Sequence, residues 1–430
     1  MKAKTYERLH ETVYEETLAN GLQVFILPKP GFKQTYANFT TRYGSIDSEF
    51  TVPSRGERIK VPDGIAHFLE HKMFEEEEGD VFVEFAKTGA SANAFTTFDT
   101  TTYLFSSTAD VEENLTTLLN FVQNPYFTDE NVEKEKGIIG QEIKMYEDNP
   151  NWRVYFGLLQ GLYGQFPVAI DIAGTQESIA KITKETLYDC YYTFYHPSNM
   201  TLFVVGAVDP KAILELVKAN QLAKDYQALP PIERFYPPLP DGIYRAETEY
   251  ELDISQPRVL FGYREKNIDA TPAARQKREA AVEIWMDCLF GRSSKHYQKL
   301  IDDGLTDHGF GSEYELTHLY GHSIFGGNSK KPKELVDTVQ KLLHTIADRG
   351  IDPEDFERSK KKAIGRFMAL LDSPQGIANV FTSQKLRGLD VLTSLDVLQS
   401  LDIEDVNEVL KDHVMGNEMA VSIVWPQQAK

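Results

Sequence analysis

The sequence predicts two α+β domains, each a mainly antiparallel sheet with helices packed on it, and three observations carry that prediction. The chain has 430 residues, more than one hydrophobic core usually serves. Within each half, apolar runs of period two alternate with longer runs of helical period. The halves also match each other: residues 182–205 (ITKETLYDCYYTFYHPSNMTLFVV) and 401–424 (LDIEDVNEVLKDHVMGNEMAVSIV) align without a gap at an offset of 219. Each places an amphipathic helix, a Pro or Gly break and a Met-led apolar strand in that order, as a duplicated unit would.

From the N-terminus, GLQVFIL, QTYANFTTRYG and TTTYLFSS alternate as half-buried strands do. VEENLTTLLNFVQ and KELVDTVQKLLHTIAD carry the 3.6-residue period of helices that cover one side of a sheet. Near the start of each half, ANFTTRYGSID (37–47) and RVLFGYREKNID (258–269) are strands of one type that end in Ile-Asp. Between the halves, KDYQALPPIERFYPPLPD (224–241) holds five prolines and few strand or helix signals, which is the composition of a linker. The chain therefore divides into residues 1–222, a proline-rich linker at 223–241, and residues 242–430.

Hydrophobic residues at 41% and charged residues at 26% are ordinary for a globular protein. The net charge of −20 argues against a nucleic-acid partner; it favours basic substrates by long-range attraction, or serves solubility. Cys190 and Cys288 are too few for a disulfide framework and read as buried thiols of a reducing compartment. The N-terminal MKAKTYERLHETVYEETLANG lacks the apolar core of a signal peptide, and no stretch approaches the ~18 apolar residues of a membrane span. The expectation is a cytoplasmic protein without a membrane span.

The segment GIAHFLEHKMF contains H-x-x-E-H at His67, Glu70 and His71. On a helix, residues four apart share a face, so two imidazoles reach one ion. His67, Glu70 and His71 form one stripe; Ile65, Phe68 and Leu69 form the opposite one, which anchors the helix in a core. Glu70 is a carboxylate beside the metal that need not ligate it, placed to take a proton from a water whose pKa the metal lowers. The competing reading is a pair of surface histidines on a charged helix.

Two histidines leave a tetrahedral catalytic site short of a ligand. In DENVEKEKGIIGQEIKMYED, Val132, Ile139, Ile143 and Tyr146 mark an apolar face, and Glu135 and Glu142 fall on that face two turns apart. A carboxylate facing a core needs a partner, and a zinc ion or an Arg or Lys across the interface would each provide one for Glu142. Glu135 is either a carboxylate supporting the ligands or an ordinary ion-pair partner. His318 and His322 are also four apart, but EYELTHLYGHSIFGG alternates throughout and predicts one strand, which would hold them roughly 13 Å apart. The acidic run Glu75–Glu78 reads as a solvated helix end.

With GIAHFLEHKMF, ASANAFTTFDTTTYLF, VEKEKGIIGQEIKMYEDNP and HPSNMTLFVVGAVDP in order, the chain resembles the pitrilysin/insulinase family of zinc peptidases, whose H-x-x-E-H inverts the commoner H-E-x-x-H. Its length is similar to that of the short-chain branch that includes the mitochondrial processing peptidases. The resemblance implies two homologous domains facing each other across a chamber, zinc as cofactor, Glu142 as third ligand and Glu135 as the supporting acid. It also implies that Asn93 and Ala94 lie on a strand that pairs with a peptide substrate; from the residues alone, Asn93 is a strand residue with a satisfied amide. The implied activity is endoproteolysis of short peptides or unfolded segments, the alternative being a non-catalytic assembly or peptide-binding subunit.

Active single-chain relatives carry an Arg and a Tyr in the second domain that help bind the substrate in the transition state. In SSKHYQKLIDDGLTDHGFGSEY the corresponding positions are Ile301 and Phe310. Since relatives that work in pairs divide zinc and Arg/Tyr between two chains, the resemblance implies the zinc-bearing chain of a heterodimer with a zinc-deficient homologue, or else a homodimer.

Overall fold

The computed structural model describes residues 1–268 and 270–427, so Asp269, the end of the second matched strand, lies outside the described residues. Seven strands build the first sheet: β1 (Lys2–Tyr6), β2 (Glu11–Thr17), β3 (Gln23–Pro28), β4 (Thr35–Thr41), β5 (Ser91–Thr96), β6 (Thr101–Ser107) and β7 (Met200–Gly206). They lie in the order β1-β2-β3-β7-β4-β6-β5. Only β7 and β3 run parallel; the other neighbours are antiparallel. β4 and β7 are buried along their whole length, as inner strands covered on both faces must be. β5 forms the edge and is half-buried or exposed at every residue.

The second sheet contains β8 (Glu247–Leu252), β9 (Arg258–Tyr263), β10 (Gly311–Leu316), β11 (Gly321–Asn328) and β12 (Met419–Pro426) in the order β8-β12-β9-β11-β10. Strand for strand this repeats β3-β7-β4-β6-β5, down to the single parallel pair, β12 on β8. The helices Lys184–Phe194 and Ile403–Val414 start 219 residues apart, as do β7 and β12. The two homologous α+β domains read from the sequence are the observed architecture.

The repeat and the packing follow different boundaries. Contacts group Met1–Ile143, Asp171–Tyr236 and Leu371–Leu386 into one unit, and Lys144–Ile170, Pro237–Leu370 and the described residues from Arg387 onward into another. Each unit thus takes one helix from the other half of the sequence. Pro150–Tyr163 packs on β12 and β9. Glycine permits that approach, because a Cβ on Gly157 would fall 2.4 Å from Ser422 Oγ and one on Gly161 3.0 Å from the Arg245 carbonyl. Pro374–Leu386 packs on β4 and β7, where Phe381 stacks on Phe203 at 4.4 Å and Thr382 donates to Asn38 Oδ1 at 2.9 Å.

Part of the proline-rich segment is strapped down within the first unit. Glu233 and Phe235 exchange backbone hydrogen bonds with Thr51 (3.0 Å) and Glu49 (2.8 Å). The buried Asp47 receives Arg234 Nε at 3.1 Å and the Tyr236 hydroxyl at 2.6 Å. Prolines keep the segment extended, and these four residues fix it.

Two local expectations are overturned. Glu75–Glu78 does not end a helix: Glu75–Glu76 pairs with Gly79–Asp80 in a tight hairpin, Gly79 supplying a φ of +132°. The segment around His318 and His322 is not one strand but the turn between β10 and β11. Thr317 makes that turn, its Oγ1 accepting from the Leu319 and Tyr320 amides at 3.1 and 3.0 Å, a competition with the ladder that alternation alone does not reveal. His322 is buried beside Tyr163, whose hydroxyl lies 3.0 Å from its Nδ1. Among the described residues no helix is long and apolar enough to cross a membrane.

Candidate metal centre

The helix Ile65–Lys72 begins after Gly64, whose φ of +89° favours glycine and whose Cβ would lie 2.4 Å from the Ala173 carbonyl. Ile65, Phe68 and Leu69 are buried, which turns His67, Glu70 and His71 to the opposite side. The imidazole centroids of His67 and His71 are 4.6 Å apart. The helix Asp129–Glu147 buries Val132, Ile139 and Ile143, and brings Glu135 and Glu142 towards the histidines.

Ligand atoms of His67, His71 and Glu142 all lie within 4.8 Å of one another, the one such three-residue group among the described residues. Glu142 Oε1 is 3.8 Å from His67 Nε2, and Glu142 Oε2 is 3.6 Å from His71 Nε2. These separations are long for hydrogen bonds but close to the roughly 3.4 Å edge of a tetrahedron with ~2.1 Å metal–ligand arms. Two imidazoles and a carboxylate are a donor set for a divalent ion.

Charge supports the same reading. Glu70 is buried, and the Thr96 hydroxyl donates to its Oε2 at 2.6 Å. Among the described residues neither Glu70 nor Glu135 has a lysine or arginine partner; Lys72, on the helix of Glu70, is paired with Glu75. A dication would compensate these carboxylates. Burial, aided by the neighbouring His71, lowers the pKa of His67 to about 4, which keeps it in the neutral form that ligates. Burial alone would lower His71 as well, but its hydrogen bond to Glu135 and the charges of Glu70, Glu135 and Glu142 raise it. Burial raises the pKa of Glu70, against the opposing effect of Thr96.

Of the two readings of Glu135, its contact here is with a histidine: Oε1 lies 3.0 Å from His71 Nδ1. Asn93 and Ala94 stand on the edge strand β5, which packs against the Ile65–Lys72 helix, and neither belongs to the three-residue ligand group; Asn93 is exposed, and its Oδ1 accepts from the Ala94 amide at 2.9 Å. In the second unit, Ile301 is half-buried on the helix Lys295–Asp302, and Phe310 is buried with its ring centroid 5.6 Å from that of Phe290. Thr96 is the neighbour of Glu70 that the sequence did not reveal. No spacing rule links it to Glu70; only the placement of β5 beside the Ile65–Lys72 helix does.

Residues 54–176, which hold all of these histidines and glutamates, match the family model Insulinase (Peptidase family M16), and residues 181–363 match the one described as Peptidase M16 inactive domain. The chain is 46% identical over 427 residues to a Bacillus subtilis protein named as the zinc protease YmfH, covering 99% of this chain and 100% of that one. It is 26% identical over 331 residues to a second B. subtilis protein named as a zinc protease, YmxG, covering 74% and 77%. A crystal structure from Alicyclobacillus acidocaldarius, described as an M16-like peptidase, superposes with a TM-score of 0.93 at 44% identity over 97% of this chain and 99% of that one. A Helicobacter pylori protease shares the fold with a TM-score of 0.83 at 19% identity, over 96% and 99%.

Proposed function

Because the chain belongs to the insulinase family, peptidase family M16, we propose that it is a zinc-dependent endopeptidase that cleaves short peptides or unfolded segments. The observation that carries this reading is the convergence of His67, His71 and Glu142 within 4.8 Å, with the uncompensated carboxyl of Glu70 on the same helix face.

In this reading His67, His71 and Glu142 hold the zinc. Zinc bound there supplies a Lewis acid that polarises the scissile carbonyl and lowers the pKa of a water. Glu70 takes the proton from that water and returns it to the leaving amine. Glu135 fixes the ring of His71 through Nδ1, which leaves Nε2 for ligation. The edge strand β5, with Asn93 and Ala94, offers its open side to an extended peptide, which would pair with it as an added strand. The setting is the cytoplasm, and the chain is the catalytic partner of a two-component peptidase.

Glu70→Gln removes the base while keeping the shape and a hydrogen-bond acceptor for Thr96. The variant is expected to retain stoichiometric zinc and to lose peptide cleavage; an active Glu70→Gln protein would overturn the mechanism.

A second reading is a non-catalytic assembly or peptide-binding subunit. The match of residues 181–363 to the inactive-domain description favours it, as do Ile301 and Phe310. It ranks behind the first because the ligand set and Glu70 are all present. Metal analysis separates the two: about one zinc per chain, lost in His71→Ala, supports the peptidase, and a metal-free chain supports the subunit.

A further inference from the structure

Glu70 has a flexible side chain, buried to 8% exposure, and a base must present one oxygen in one direction. On the Ile65–Lys72 helix nothing fixes that direction. What fixes it comes from the sheet: Thr96, the last residue of β5, donates its hydroxyl to Glu70 Oε2 at 2.6 Å, and among the described residues this is the only hydrogen bond to the carboxyl.

Thr96 is placed by the pairing of its strand. It stands opposite Thr101 in the β5–β6 register, and its Oγ1 lies 3.4 Å from Thr101 Oγ1. Thr101 is fully buried and donates to the Tyr43 carbonyl at 2.9 Å. Branching at Cβ restricts the Thr96 side chain to few rotamers, so a strand in fixed register delivers its hydroxyl to one place. With Oε2 engaged, Oε1 is the oxygen left to accept a proton. β5 also has β6 on one side only, and its other side is the open edge of the sheet.

We propose that Thr96 is a positioning residue that aims the carboxyl of Glu70 and ties it to the edge strand on which a peptide would add. This rests on the reading of Glu70 as the general base. It assigns Thr96 an effect on turnover rather than on metal binding, since its hydroxyl hydrogen-bonds to none of His67, His71 or Glu142 among the described residues.

The test compares Thr96→Val, which keeps the shape without the hydroxyl, Thr96→Ser, which keeps the hydroxyl, Thr96→Ala and Glu70→Gln, with zinc content and thermal melting measured for each. Thr96→Val and Thr96→Ala are expected to lower kcat by about 10–100-fold, with KM within about twofold and full zinc, while Thr96→Ser stays within a few-fold of wild type. Crystal structures of the metal-free proteins give a readout independent of turnover: the Glu70 carboxyl leaves its position in Thr96→Val and keeps it in Thr96→Ser. The proposal is overturned if Glu70→Gln is inactive while Thr96→Val turns over at the wild-type rate, or if Thr96→Ser fails as badly as Thr96→Val. Activity in Glu70→Gln would instead remove the base assignment on which the proposal stands. Should Thr96→Val not fold, Thr96→Ala against Thr96→Ser decides the question.

Discussion

Glu135 Oε1 lies 3.0 Å from His71 Nδ1, while Glu142, two turns further along the same helix, faces the Nε2 of that ring at 3.6 Å. One helix thus grips both ring nitrogens of His71. A partner that orients a ligating imidazole typically contributes a factor of about 10–100 in metal affinity. Glu135→Ala is therefore expected to weaken zinc binding by about that factor in a competition titration against a chromophoric chelator. Glu135→Gln, which keeps an acceptor for Nδ1–H, should lose less. Unchanged affinity in Glu135→Ala would contradict the role.

In the second unit, Glu265 sits at 2% exposure, its Oε2 reached by Arg278 Nε at 2.7 Å, the Tyr314 hydroxyl at 2.7 Å and His413 Nδ1 at 3.1 Å. Burial alone would raise its pKa, but the hydrogen bond and charge of His413, followed by those of Arg278, hold it well below the usual carboxylate range. A carboxyl depressed in the folded state stabilises fully above its unfolded pKa of about 4.3, and that contribution fades as pH falls towards the lower folded value. Urea unfolding from pH 7 to pH 3 should show Glu265→Gln less stable than wild type by about 3 kcal/mol at neutral pH, the gap closing below about pH 4. A gap that stays constant with pH would exclude this linkage.

The second repeat carries an ion-pair cluster in the region that corresponds to the candidate ligand group of the first. β5 and β10 start 220 residues apart, an offset that takes His67 to Asp287. The helices Asp129–Glu147 and Pro353–Leu370 start 224 apart, an offset that takes Glu142 to Arg366. Asp287, 8% exposed, accepts from Lys362 Nζ at 2.6 Å, with Arg366 Nη2 at 3.6 Å. A side-chain cation thus stands against a buried carboxylate in the second repeat. Two outcomes are expected: Asp287→Asn leaves about one zinc per chain, and Lys362→Met costs about 2 kcal/mol, short of a fully buried pair because Lys362 is one-third exposed. Two zinc ions per chain would contradict the assignment.

What the sequence disclosed follows from the range of its signals. The four-residue spacing of His67 and His71 and the seven-residue spacing of Glu135 and Glu142 are helical, so one period places each pair on one face. The 219-residue repeat similarly exposed two equivalent helix–strand units. Thr96 escaped because its partner is set by the seating of an edge strand beside a helix, which no local period encodes. The helix Pro150–Tyr163 reads as part of the first half, yet packs on the second sheet through Gly157 and Gly161; its amphipathic pattern states that one face is buried, not against what. The turn at Thr317 was hidden by apolar residues that continue the alternation across it, while a hydroxyl captured the amides.

The last prediction concerns the donors missing from the second domain. Ile301 offers no hydrogen bond, and Phe310 buries a ring without a hydroxyl against Phe290. An Arg and a Tyr at a developing oxyanion would supply fixed N–H and O–H groups, and loss of one such donor typically costs ~10²–10³ in rate. The isolated chain should accordingly bind zinc fully but cleave peptides slowly. Restoring Tyr at Phe310 within the chain should not help, since a hydroxyl added at a buried site without a partner costs about 1–3 kcal/mol. A zinc-deficient homologue bearing the Arg and Tyr could supply the donors from a second chain. The assay measures peptide cleavage by the purified chain alone, by the homologue alone and by the mixture. Activation by about 100-fold on mixing, abolished when the partner's Arg and Tyr are replaced, would establish the two-chain site. Full activity in the isolated chain would show that it needs neither donor.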